Sequence, residues 1–164
     1  KMTFEDICKS LAKQLAEQGY TLLIHTNDEH KAAQYALDGL VENGQKPSVE
    51  VIEGSDYMRF KENESYQEKL DLKRRLIVGA KQAVLIEAIN EADLIALVGG
   101  GSNSSLIGQL GAYLGKSVLP LPGFGGISEG LWNGFRNDNT YSNETVNHIE
   151  EDNTSPRHQE STSI

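Results

Sequence analysis

The chain is short of cysteine, of long apolar runs and of positive charge. Its 164 residues include a single cysteine, Cys8. One thiol cannot close an internal disulfide, so the sequence suits a reducing compartment, and a cytoplasmic location is expected. Cys8 falls on an apolar helical stripe, which points to burial and not to reactivity. No apolar stretch approaches the ~20 residues needed to span a bilayer, and no secretory signal pattern is present. The run Leu94 to Val98 is far too short, so no membrane partner is expected. Lysine and arginine number 15 against 24 aspartates and glutamates, a formal net charge of −9. That balance argues against a broad nucleic-acid footprint. It leaves room for a phosphate held in a local basic or amide-lined pocket.

What is present alternates between helical and strand periodicity. Phe4, Ile7, Cys8, Leu11 and Leu15 predict a helix over Phe4 to Gln18, with Thr3 and Asp6 as a capping pair and Gly19 as its stop. Tyr20 to His25 reads as a strand, Asp28 to Leu40 as a helix and Val49 to Ile52 as a strand. Ser55 to Leu72 is polar and mixed in charge, and is expected to be a loop leading into a helix. Leu76 to Asn90 is helical by spacing. Leu94 to Val98 is a continuous apolar run, as in a parallel strand buried on both faces. Leu106 to Leu114 predicts a helix rich in small residues, Ser117 to Leu121 a strand, and Ile127 to Phe135 a short last helix.

The fold expected is therefore α/β, a Rossmann-like parallel sheet with helices on both faces. A doubly wound sheet usually opens with a strand. Here the first strand is missing, so it is expected upstream of Lys1, or else the edge is completed differently. Residues 1–136 form the domain. Residues 137–164 are dominated by Asn, Ser, Thr, Glu and Asp and are expected to be a disordered tail, with a weak helix near Glu144 to Ile149.

Ligands of open parallel sheets bind beyond the carboxyl ends of the strands. Gly99-Gly100-Gly101-Ser102-Asn103-Ser104-Ser105 leaves such an end and opens a helix. Glycines allow close backbone approach, the helix start offers open N–H groups, and the polar side chains add further donors. The plainer reading is a tight turn capped by Ser105. The loop is not a P-loop, because no lysine follows the glycines, and it comes too late in the sheet for a dinucleotide fingerprint. A second loop, Gly123-Phe124-Gly125-Gly126, should border the same crevice. Phe124 there either stacks on a base or packs inward. His25 ends an earlier strand on that rim, as a ligand contact or a structural residue. Lys73-Arg74-Arg75 is a basic cluster in an acidic chain. Arg74 or Arg75 suits a phosphate, unless the cluster is a solvated helix face pairing with Glu64, Glu68 and Asp71.

Glu91 to Gly101, an acidic-alanine-aspartate entry into an apolar strand and glycines, is followed by Ala112-Tyr113-Leu114-Gly115-Lys116 and Ser117 to Leu121. This succession resembles the SLOG superfamily over roughly Phe4 to Phe135. The resemblance implies a nucleotide pocket and self-association. The lonely-guy phosphoribohydrolases of that superfamily carry Pro-Gly-Gly-x-Gly-Thr-x-Glu-Glu. Here Val98 stands for the proline, and Ser102 and Asn103 for the Gly-Thr. Ser105 and Leu106 stand where the glutamates belong. The family's arginine falls near Val84 or Leu85. Without those side chains the hydrolysis lacks its acid and its phosphate anchor. The resemblance then runs to the STALD sensor domains joined to sirtuin-like or TIR modules in Thoeris-type antiviral defence. It implies a cyclic ADP-ribose isomer or related NAD-derived ligand, no resident cofactor, a homo-oligomer, and an effector domain upstream. Two alternatives stand beside it. One is a phosphoribohydrolase using Glu87 or Glu129. The other is a scaffold whose small-residue helix, Ile107 to Leu114, and Trp132 form a subunit interface.

Overall fold

A reciprocal cap sets the start of the first helix. The computed structural model describes residues 2–42 and 46–137, and in it α1 spans Phe4–Glu17. The Asp6 amide donates to Thr3 Oγ1 at 3.1 Å and the Thr3 amide donates to Asp6 Oδ2 at 3.0 Å. Two donors that a helix start leaves open are thereby satisfied. Then follow β1 (Leu22–Ile24), α2 (Ala32–Glu42) and β2 (Ser48–Gly54). α1 and α2 approach closely at Gly39, where a Cβ would lie 2.7 Å from Lys9 Cα. Glu42 crosses the same contact to Lys9 (3.0 Å) and Lys13 (3.1 Å). Cys8 is buried, and burial pushes its thiol up to about 11.

The polar stretch beyond β2 holds more structure than its composition implies. Asn27 clamps it, donating to the Lys61 carbonyl at 2.7 Å and accepting from the Lys61 amide at 2.8 Å. Asn63 caps a short helix, α3 (Glu64–Lys69), by accepting from the Tyr66 amide at 2.8 Å. Phe60, Tyr66 and Leu70 turn inward to the core. Asp71–Ile77 is then a strand, β3, paired in parallel with β2. This corrects the expected helix start at Leu76 and moves the Lys73-Arg74-Arg75 cluster from a helix face to a sheet edge. An edge strand needs little apolar patterning and is blunted by charge, so its sequence hides it. The helix itself, α4, begins only at Lys81 and ends at Glu91.

The remaining elements are β4 (Leu94–Val98), α5 (Ser102–Tyr113), β5 (Ser117–Leu121) and α6 (Gly126–Asn137). Every strand pairing is parallel. Among the described residues the strands make a three-stranded sheet, β1-β2-β3, and a two-stranded sheet, β4-β5. Between β1 and β4 lies a cavity of about 610 Å³, bounded by Leu22 to His25 on one side and Leu94 to Val98 on the other. The expected single sheet is thus interrupted. β4 is also not buried on both faces: Ile95 and Leu97 are buried, but Ala96 between them is exposed, because its face opens on the cavity.

The larger core joins α1, α2, β1 and β2 through Leu37, Leu40, Val49 and Val51. The smaller joins Ile89, Ile95, Leu97 and Val118. Gly108 and Gly111 of α5 face this second core, against Leu131, Leu97 and Ile95. Trp132 is buried too. Gly108, Gly111 and Trp132 thus pack within the chain, whereas Tyr113 and Leu114 at the end of the same helix are exposed. Among the described residues no helix is long and apolar enough to cross a membrane. The expected disordered tail beyond Asn137, with the weak helix expected near Glu144 to Ile149, lies outside the described residues.

Candidate functional site

The carboxyl end of β4 turns sharply because Gly99 (φ 63°) and Gly100 (φ 99°) both adopt left-handed backbone, which side chains resist. Gly101 is the N-cap of α5, and no side chain caps it. The helix therefore starts at Ser102, four residues before the expected Leu106. Ser102, Asn103, Ser104 and Ser105 form its first turn and not a loop. Ser105 is no cap: its hydroxyl accepts from Gln109 Nε2 at 3.2 Å. Among the described residues the amides of Gly100 to Ser104 make no hydrogen bond. Gly100 to Asn103 are exposed. Five open donors at the positive end of a helix form a surface suited to an anion.

The second glycine loop is stitched to the first, as the strand order implies. The Ile127 and Ser128 amides donate to the carbonyls of Gly100 and Gly99, both at 3.1 Å. In return the Gly99 amide donates to Ser128 Oγ at 2.9 Å, inside the protein. Gly126 (φ 64°) sits so close that a Cβ there would press on the Gly100 carbonyl oxygen. At the loop's other end the Gly123 amide donates to Glu129 Oε2 at 2.7 Å. Gly125 (φ 68°) completes the turn between them. Phe124 is half-buried and packs edge-on against Phe4 of α1, ring centres 5.9 Å apart, and Phe4 in turn meets Tyr35 at the same distance. Of its two expected roles, the inward one is occupied.

His25 follows β1 and lines the same cavity as Val98 and Ser104. Its ring lies 6.4 Å from that of Tyr57. Burial, and then the charge of Lys81, holds its pKa below the ordinary value of 6.5, so it is neutral at physiological pH. Arg74 and Arg75 are not brought to this rim. They lie on β3, separated from β4 by β2, β1 and the cavity. Arg74 Nε donates to Glu53 at 2.9 Å and its Nη1 bonds Glu62. Arg75 reaches Glu50 (2.9 Å), Glu87 (3.2 Å) and Glu91 (3.4 Å). The expected partners Glu64 and Glu68 take no part in these pairs. Lys73 comes only within 4.0 Å of Asp71.

Three contributors escape a reading of the sequence. Ser128 is fully buried and bridges the two loops. Its only signal is its place two residues after Gly126. The charge of Lys81, at the start of α4, reaches His25, an influence that no spacing reveals. Glu53 is buried at the end of β2 with its Oε1 lacking a hydrogen-bond partner.

The chain matches no family profile and no curated protein. It does resemble a solved structure, the X-ray structure of TM1055, a structural genomics target. The match has a TM-score of 0.58 and 24% sequence identity, over 78% of this chain and 68% of that one. At that identity the likeness shows the fold. The protein is an α/β chain of Rossmann-like architecture, its parallel strands flanked by helices.

Proposed function

We propose that the paired glycine loops form the phosphate- and ribose-binding rim of a nucleotide-sensing domain. The ligand class is an ADP-ribose-like molecule, a cyclic ADP-ribose isomer or a close NAD derivative. In this reading occupancy regulates an attached effector or the assembly of the chain in antiviral defence. One observation carries the proposal: five open amides, Gly100 to Ser104, stand over a helix turn whose side chains are serine and asparagine. They offer hydrogen bonds to phosphate oxygens and no carboxylate to move a proton. The phosphoribohydrolase alternative must borrow an acid from elsewhere. Glu87 is ion-paired to Arg75 on the far side of the sheet, and Glu129, in the second loop, is engaged by the Gly123 amide. Arg74 and Arg75, held by carboxylates on β3, supply no cation for a phosphate at this rim.

Calorimetric titration with cyclic ADP-ribose isomers, ADP-ribose, NAD and AMP tests the reading. At least one should bind. Absence of heat with all of them overturns it. Release of free base from AMP favours the hydrolase instead.

A further inference from the structure

We infer that the outer edge of β3 is a self-pairing surface, on which a second copy of this chain lays its own β3 antiparallel about a two-fold axis at Leu76. This does not depend on the ligand proposed above. The first observation is the open backbone. Among the described residues β3 pairs only with β2. The Asp71 amide donates to the Pro47 carbonyl at 2.9 Å, and the Ile77 carbonyl accepts from the Ser55 amide at 2.9 Å. Asp71, Lys73, Arg75 and Ile77 therefore turn their backbone groups toward β2. Backbone direction alternates along a strand, so the amides and carbonyls of Leu72, Arg74 and Leu76 turn outward. Among the described residues no strand meets them there.

The second is the weakness of the guard. Proline, a bulge or outward charge ordinarily blunts an exposed edge. β3 contains no proline and keeps an unbroken register with β2 from Asp71 to Ile77. Its two arginines are drawn back over β2, Arg74 to Glu53 and Arg75 to Glu50. Exposed Lys73 guards the amino half alone. Past Arg75 the edge is apolar: Leu76 is 64% exposed and Val78 94%.

The third is self-complementarity. Identical edges that close on each other meet about a two-fold axis, antiparallel, with residues of the same face opposed. An axis at Lys73, Arg74 or Arg75 sets that cation directly against its own copy, which is destabilising. An axis at Leu72 matches Asp71 to Lys73 but leaves Leu76 and Val78 in water, and it falls beside a polar groove lined by Lys46, Glu62 and Gln67. An axis at Ile77 runs the ladder into Ala80, the N-cap of α4. At Leu76 the leucine meets itself, Arg75 stands opposite Ile77 of the other copy, and Arg74 opposite Val78. No like charges are opposed, and the outward groups of Leu76 bond their own copies. The edge thus fits itself, which commits the occupant to a second copy of this chain.

Amide exchange by NMR on the full chain tests the pairing. It is followed from about 10 µM to about 1 mM, because so short an edge buries less than the ~800 Å² per partner of a standard interface. Light scattering should show monomer giving way to dimer across that range. The Arg74 and Leu76 amides should slow about threefold or more over the same range, whereas those of Lys73 and Arg75, already turned to β2, should not change. Leu76→Lys and Leu76→Glu should each stay folded by circular dichroism and remain monomeric. Mixed in equal amounts the two should dimerise again, because the axis sets position 76 against itself. Exchange in the unsubstituted chain decides the matter even where a variant does not fold. A monomer at every concentration with fast Arg74 and Leu76 amides overturns the inference. So does a monomer in which those amides are already slow, since another part of the chain then covers the edge. A dimer that both variants retain puts the interface elsewhere and overturns it too, and a mixture that stays monomeric overturns the axis at Leu76.

Discussion

The two sheet fragments divide the work of the molecule unequally. The half built on β1-β2-β3 holds most of the fully buried side chains, Leu37, Leu40, Val49, Val51, Ile52 and Leu70 among them. Its outer edge is a lattice of ion pairs around Arg74 and Arg75. The half built on β4-β5 has the smaller core, and both glycine loops extend from its strands. Packing and charge hold the first half. Close backbone approach serves both halves, at Gly39 against Lys9 in the first and at Gly126 against Gly100 in the second, where Gly108 and Gly111 also make room for the side chains of Leu131, Leu97 and Ile95. Dense burial gives rigidity, whereas loops that keep amides open need a neighbour that gives up side-chain volume.

That contrast sets the sizes of four effects. The largest is a cavity in the denser half. Leu37→Ala should cost about 4 kcal/mol by urea denaturation, within the usual range for a fully buried leucine. Leu97→Ala, at a residue that already borders the cavity between β1 and β4, should cost about 2 kcal/mol, because fewer neighbours are lost. Equal losses would erase the distinction between the halves. Next is Arg74→Ala, which strips the partner from buried Glu53 and should cost about 3 kcal/mol, at the low end for a broken buried pair because Arg74 is partly solvated. Arg74→Lys should recover only part of it, since one ammonium cannot reproduce the fork.

Gly126→Ala comes third. It combines a left-handed backbone with a collision at Gly100 and should cost about 2 kcal/mol. It should not speed exchange in β1 or β2, which would confine the damage to the second half. The smallest is a pH effect at His25. Its folded pKa lies below its unfolded value, so the unfolded chain takes up the proton first as pH falls. The stabilisation is complete above about 6.5, the unfolded value, and is lost as pH drops from there toward the folded value. The difference in urea midpoint between the wild type and His25→Gln, followed from pH 8 to 5, should shrink along that descent. A difference independent of pH would show that the ring carries no proton linkage.

The sequence made legible whatever had strong periodicity. The capped α1, the helix α2, the short strands β2, β4 and β5 and the amphipathic α6 all stand within a few residues of their patterns. β3 was hidden because an edge strand facing water on one side carries lysine and arginines where an inner strand would carry valine or isoleucine. Its last residues, Leu76 and Ile77, then merged with the apolar spacing of α4. The start of α5 was set too late because serine and asparagine are weak helix formers that nonetheless suit a first turn. In the site, the two glycine loops announced themselves by composition. Ser128 and Lys81 did not, since each matters through a neighbour distant in sequence. The arginines misled for the opposite reason: charge is visible in a sequence, but the carboxylates that neutralise it are brought up only by the fold.

The interlock of Gly100 and Gly126 bears on how such a chain can change over time. The first lends its carbonyl to the helix that follows the second, and the second has no volume to spare beside that carbonyl. A substitution at either is therefore judged against the other, and a replacement tolerated at one position demands a matching shift at its counterpart. Under mutation the two behave as a single heritable unit, although each sits in its own loop.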